Sequence, residues 1–195
     1  VRQKRKFKVA TTDSARNYAI APNLLGQNFT ASRPNEKWVA DITYIATDEG
    51  WLYLATVMDL YSRRIVGWAM SDSLHRKPVM DALEMAIANR QPPPGLLHHS
   101  DRGSQYASDD YQALLTQAKM TCSMSRKGNC YDNAPMESFF GHLKTEWTYH
   151  HHYPTRAAAK TDVFEYIEAF YNRFRLHSTL EYRNPVNFEA LPIVA

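Results

Sequence analysis

The chain has 195 residues, 44% of them hydrophobic, 22% charged and 12% aromatic, with a formal net charge of +3. That apolar content excludes a disordered chain, the length suits one substantial core, and no run of about 18 apolar residues offers a membrane span. Seven glycines without a GxGxxG or GxxxxGK(S/T) pattern argue against dinucleotide and P-loop chemistry, and two cysteines, Cys122 and Cys130, neither make a disulfide framework nor show zinc-finger spacing.

The chain opens on a basic stretch. Residues 1–37 hold eight Lys and Arg, among them Lys4, Arg5 and Lys6, against Asp13 and Glu36; the remainder holds fifteen against eighteen acids. No apolar run follows those first charges, so they do not form a secretory signal, and the chain reads as cytoplasmic. With Pro22 and Pro34 set among Asn, Gln, Ser and Thr, residues 1–35 read as a basic arm or linker. Such an arm is either a flexible contact to a polyanion or no more than a solubilising leader.

From Trp38 onward, β-branched and aromatic residues predict strands at 38–45, 51–58 and 64–69, with Asp48–Gly50 turning the first into the second. A helix is expected near Pro78, with Val79, Leu83, Ala86 and Ile87 at helical spacing, broken by Pro92–Gly95. A short strand at 96–99, a helix at 109–119 and a last strand at 121–124 follow. Asn133-Ala134-Pro135 predicts a helix start capped by Asn133, and residues 155–175 read as one long amphipathic helix. This order predicts an α/β, ribonuclease H-like mixed sheet with helices on both faces. Residues 36–190 would form that core and a helical carboxy-terminal extension, behind the basic amino-terminal arm.

Three acids stand out within this plan. Asp41 is a carboxylate in the middle of an apolar strand, where a charge is costly unless it is paired or bound to a cation. Asp101 directly follows the short strand, and Glu137 lies in the first turns of a helix, with 35 residues between them. The competing reading pairs Asp41 with an arginine and leaves the other two as surface acids. His98 and His99 suit a strand end in structural roles, and His150–His152 make a weak metal tract.

The sequence around these acids resembles the catalytic core of DDE transposases and retroviral integrases. It is most similar to the second-frame products of the insertion-sequence-three family of bacterial transposases. The matching motifs are Trp38-x-x-Asp41-Ile42-Thr43-Tyr44, His99-Ser100-Asp101-x-Gly103-Ser104-Gln105-Tyr106 and Asp132-Asn133-Ala134-x-x-Glu137-Ser138. A fourth is Tyr171-Asn172-x-x-Arg175-x-His177-x-x-Leu180 followed by Pro185, which serves either that function or packing only. The likeness covers about residues 33–190.

The resemblance implies Asp41, Asp101 and Glu137 as the catalytic and metal-binding triad, with Lys144 as the basic residue seven beyond the glutamate. Arg126 and Lys127, with Lys4, Arg5 and Lys6 of the arm, are further candidates for DNA contact. Two Mg²⁺ ions, or Mn²⁺ as substitute, would activate a water or a 3′-hydroxyl and neutralise the leaving 3′-oxygen. DNA, as element ends and target, is the implied partner, with homo-oligomers in a synaptic complex, nucleoid association and no membrane. The family's amino-terminal helix-turn-helix has no counterpart in these residues; residues 1–33 resemble the linker that follows it, so the chain would be either a fragment or the partner of a longer product, such as an upstream-frame helix-turn-helix protein. Two other functions are compatible with the same residues: a non-catalytic DNA-binding regulator and a ribonuclease H-like nuclease.

Overall fold

The computed structural model describes residues 18–192, so Lys4, Arg5 and Lys6 lie outside the described residues. Strands β1 (Lys37–Thr47), β2 (Gly50–Asp59) and β3 (Ile65–Ser71) form the expected antiparallel meander. Strands β4 (Leu97–Ser100) and β5 (Thr121–Met124) add in parallel on the other side of β1, giving the order β3-β2-β1-β4-β5. β1 sits at the centre of this mixed sheet.

Alternation along β1 separates two cores. Trp38, Ala40 and Ile42 pack with Val79, Ala82, Leu83 and Ala86 of helix α1 (Lys77–Arg90) and with Tyr111 and Leu115 of α2 (Asp109–Gln117). Val39 and Ile45 face the other way, onto Met136, Phe139 and Phe140 of α3 (Ala134–His142) and Ala159 and Val163 of α4 (Arg156–Phe164). Helices therefore cover both faces, as a period-two strand with two apolar sides requires. Gly67 lets α1 press onto β3: a methyl there would stand 2.1 Å from the Ala82 carbonyl oxygen.

Two local expectations are corrected. Asn133 stands at the start of α3 but does not cap it; its Nδ2 donates instead to the Ala40 carbonyl, 3.2 Å away on β1. The long helix does begin at 156, capped by the Thr155 hydroxyl, but residues Glu165–Tyr171 continue it in wider π-helical turns. There Asn172 clasps the Ile65 backbone of β3, accepting from its N–H and donating to its carbonyl, both at 3.0 Å. A short helix α5 (Pro185–Glu189) ends the described chain.

The described part of the arm, residues 18–35, is laid against the body. Leu24 and Leu25 N–H groups both donate to the Ser123 hydroxyl beside β5, Met124 N–H donates to the Pro22 carbonyl, and the Leu25 side chain is buried. No helix among the described residues is long and apolar enough to cross a membrane.

Candidate active site

Strand register brings the two aspartates together. The last pair between the parallel strands β1 and β4 is Val39 with His99. Asp41 and Asp101 each lie two residues beyond it, so they leave adjacent strands, about 4.8 Å apart, on the same side. The Asp41 Oδ1 accepts from the Ile42 N–H at 2.7 Å, and the Asp101 Oδ1 accepts from the Gly103 N–H at 2.8 Å. A Cβ at Gly103 would stand 3.0 Å from that carboxylate and 2.9 Å from the Gln105 Oε1, so a larger residue would push these side chains out of place.

Glu137 reaches the same place from the first turn of α3, which Met136, Phe139 and Phe140 anchor in the core. Its side chain is exposed, and Asp41 and Asp101 are half-buried, so the cluster opens to solvent on the Glu137 side. Burial and the negative charges of Asp101 and Glu137 push the Asp41 carboxyl up to about 8. Lys144 is the cation that opposes this shift. Its Nζ lies 4.7 Å from the Tyr44 ring centroid, and burial lowers its own pKa while Asp41 raises it. Among the described residues no arginine forms an ion pair with Asp41. The reading of Asp41 as an arginine-paired structural acid therefore has no support in this geometry.

The loop before α3 is held by Asp132, whose fully buried carboxylate accepts five N–H donors. They are Asn23 Nδ2 and Gln27 Nε2, both at 2.9 Å, and Arg126 N, Nη2 and Nε at 2.7, 2.8 and 3.1 Å. The Arg126 hydrogen bonds hold this carboxyl well below the usual carboxylate range. Arg126 is thus committed within its own loop, while Lys127 stays exposed. Asp132 and Asn133 together tie the strap formed by residues 18–35, β1 and α3, and thereby fix Glu137 relative to Asp41. Their position in a quoted motif was the signal for this role, but the chain separation of 105 and 109 residues to Gln27 and Asn23 hides it from local reading.

Tyr106 Oη, Gln105 Oε1 and Asn133 Oδ1 are buried near the carboxylates and have no hydrogen-bond partner among the described residues. Tyr106 senses the charges of both Asp41 and Asp101, which help raise its phenol far above its ordinary value after burial itself. Among the described residues no three His, Cys, Asp or Glu side chains already form a metal-holding group. Mutually repelling carboxylates ringed by orphaned oxygens nonetheless suit a hard divalent cation that keeps its waters, since those waters would meet the orphaned atoms.

The other candidates are structural. His99 Nδ1 and Nε2 pair with the Ser123 and Ser125 hydroxyls at 2.8 and 3.0 Å, and His98 Nε2 pairs with the Tyr111 hydroxyl at 3.1 Å. Burial lowers these imidazoles to about 4 and about 3. His150, His151 and His152 turn to three different partners, the Thr145 carbonyl, Asp162 and Asp48, and form no tract. The 171–185 motif packs. Arg175 binds Glu146 with two 2.7 Å hydrogen bonds, steadying the turn that carries Lys144, and Tyr171, Leu180 and Pro185 are buried.

Two stretches, residues 31–130 and 137–191, match family models described as integrase core domain. The 31 kDa protein of insertion element IS600 from Shigella sonnei is 52% identical over 96% of this chain and 68% of its own length. The transposase for insertion sequence element IS904 from Lactococcus lactis is 51% identical over 86% of this chain and 66% of its own. Transposase InsF for insertion sequence IS3A from Escherichia coli is 49% identical over 90% and 61%. The chain thus spans about two thirds of the length of these relatives. Among solved structures, the simian T-cell lymphotropic virus intasome has a chain superposing with a TM-score of 0.70 at 16% identity, covering 95% of this chain and 63% of that one. The HTLV-2 integrase catalytic core domain in complex with magnesium superposes at 0.62, also at 16% identity, covering 80% and 97%. The fold is that of retroviral integrase cores.

Proposed function

The chain belongs to the insertion-element transposases that carry an integrase core domain, and from that premise we propose that it cuts and joins DNA ends during transposition. The observation that carries this reading is the convergence of Asp41, Asp101 and Glu137, with Asp41 driven toward its protonated form by burial and by the charges of the other two. Asp41, on the central strand, with Asp101 and Glu137 would hold the divalent cations. When bound, a pair of such cations supplies charge for the attacking and leaving oxygens of an in-line phosphoryl transfer.

The chain's own groups do the rest. Gly103 N–H orients the Asp101 carboxylate, and Asp132 with Asn133 sets the Glu137 helix against β1. Lys144 lies at the cluster, where an ammonium can hold a DNA phosphate, and Lys127 with the basic residues Lys4, Arg5 and Lys6 would add sequence-independent affinity. Residues 36–190 would act as the catalytic unit, homo-oligomeric when two DNA ends are synapsed, with a helix-turn-helix partner for end recognition.

A metal-dependent assay on pre-cut DNA ends tests this. Joined product with Mg²⁺ or Mn²⁺, lost in Asp41→Asn, is expected. Hydrolysis without joining would make the chain a nuclease of the same fold, and neither activity would leave a non-catalytic DNA binder.

A further inference from the structure

A second site lies at the turn between β2 and β3. A cavity of about 240 Å³ opens there, lined by Phe29, Thr30, Tyr61, Arg63, Leu180 and Phe188. The Tyr61 and Phe188 rings stand 5.2 Å apart at 50°. Asp59, just before the turn, pairs with Trp38, three residues ahead of Asp41 on β1, so the cavity is about 10 Å or more along the strand from the carboxylate cluster.

The two consecutive arginines of the turn have different fates. Arg64 is bound to Glu189 at 2.9 Å, and Glu189 is further held by Arg90 at 2.8 Å and by the Ser62 hydroxyl at 2.7 Å. Arg90 also takes Asp59, at 3.4 Å. The nearby acids are therefore satisfied. Arg63 is half-buried, no acid among the described residues pairs with it, and burial depresses its pKa. Its backbone is left-handed, at φ 60°, a conformation that side chains with a Cβ adopt at a cost. Lys37 does not line the cavity, but its Nζ donates to the carbonyl of Thr30, which does, at 2.7 Å. A desolvated guanidinium without a counter-ion, set among aromatic rings, is built to receive an anion attached to a flat apolar body.

We propose that this cavity takes one unstacked nucleotide of a single DNA strand, with its phosphate on Arg63 and its base against Tyr61 and Phe188. The volume is below the 300–1,000 Å³ or so of pockets for drug-sized ligands and suits a single ring system with its sugar. Base stacking on aromatic rings beside an arginine is the general means of holding single strands without reading their sequence. The choice of DNA over another anion rests on the function proposed above.

The test uses the full chain with deoxycytidine monophosphate, inorganic phosphate and a fluorescent single-stranded oligonucleotide, comparing parent and Arg63→Gln. Glutamine already occupies left-handed backbone in this chain at Gln27 and Gln91, so the variant should keep its fold, which a thermal melt verifies. The mononucleotide should shift the ring resonances of Tyr61 and Phe188 in the parent and not in the variant. The slope of log affinity for the oligonucleotide against log salt should become shallower by about 0.7 in the variant. Equal shifts from inorganic phosphate alone, or stronger binding of a short peptide ending in an aromatic residue and a free carboxylate, would overturn the nucleotide assignment. Unchanged slope and absent ring shifts, in a parent that joins DNA ends, would sink the cavity proposal alone. Ring shifts in a parent that binds the oligonucleotide but does not join DNA ends would uphold the nucleotide cavity and remove the transposase reading instead.

Discussion

Asp41 carries the tension of the site. Its folded pKa is raised above the unfolded value of about 3.9, so its contribution favours the fold below that value and is lost as pH rises through the folded one. A cation must displace the proton that burial and two neighbouring acids favour. At fixed Mg²⁺, the metal-induced rise in melting temperature should therefore be larger at about pH 8.5 than at about pH 6, by differential scanning fluorimetry. Lys144 opposes the Asp41 shift, so Lys144→Ala should move that pH dependence further upward while metal stabilisation survives. DNA joining by this variant should fall by about tenfold or more; parental joining would make Lys144 merely a solvated charge. His98 and His99 act in the opposite pH range. Their folded pKa values lie below the unfolded one, so their stabilisation is present above about pH 6.5 and lost as pH falls through 4. Acid should cost up to ~3 kcal/mol per pH unit from these two imidazoles, and replacing His99 by Gln should flatten that stretch of the pH–stability curve.

At the scale of elements, the site depends on how α3 is held. Asp132 is acceptor-only, so Asp132→Asn turns an amide against at least one of five donors. Its melting temperature should drop on the order of 5–10 °C, with joining falling beyond what the lost folded fraction explains because Glu137 is no longer fixed. A variant as stable and active as the parent would show that the anchor is dispensable. The meander, both crossover helices and the two parallel strands were legible in the sequence because period-two and period-3.6 patterns are local, as with Trp38, Ala40 and Ile42 against Val79 and Leu83. The Asp41–Asp101–Glu137 convergence was legible through motif context, not spacing. Less visible were contacts that join distant segments. Asn133 is an ordinary cap residue by sequence, yet Ala40 claims its side chain. Nothing in the polar run around Asn23 and Gln27 announces a buried carboxylate waiting for both. The π-helical turns at 143–147 and 165–171 likewise answer to packing, of Lys144 toward Tyr44 and of Tyr171 into the core, which propensity does not encode.

For the whole molecule, the strap changes how the basic arm is tested. Removing residues 1–33 would also remove Asn23, Leu25 and Gln27, confounding lost charge with lost packing. Removing only 1–17 takes away six Lys and Arg and one Asp. That shorter deletion should make the salt dependence of DNA binding shallower. An unchanged slope would reduce the arm to a solubilising leader.

The central claim is that the three carboxylates form a site for divalent cations, and parallel thermal melts of the parent and Asp41→Asn, each in EDTA and in Mg²⁺, test it most directly. At about pH 8.5 or above, where Asp41 is ionised, removing one of three repelling charges at nearly constant volume should leave the variant as stable as the parent in EDTA, or more so. Only the parent should gain melting temperature with Mg²⁺. A parent indifferent to Mg²⁺ and Mn²⁺, or an Asp41→Asn chain strongly destabilised in EDTA, would contradict the account.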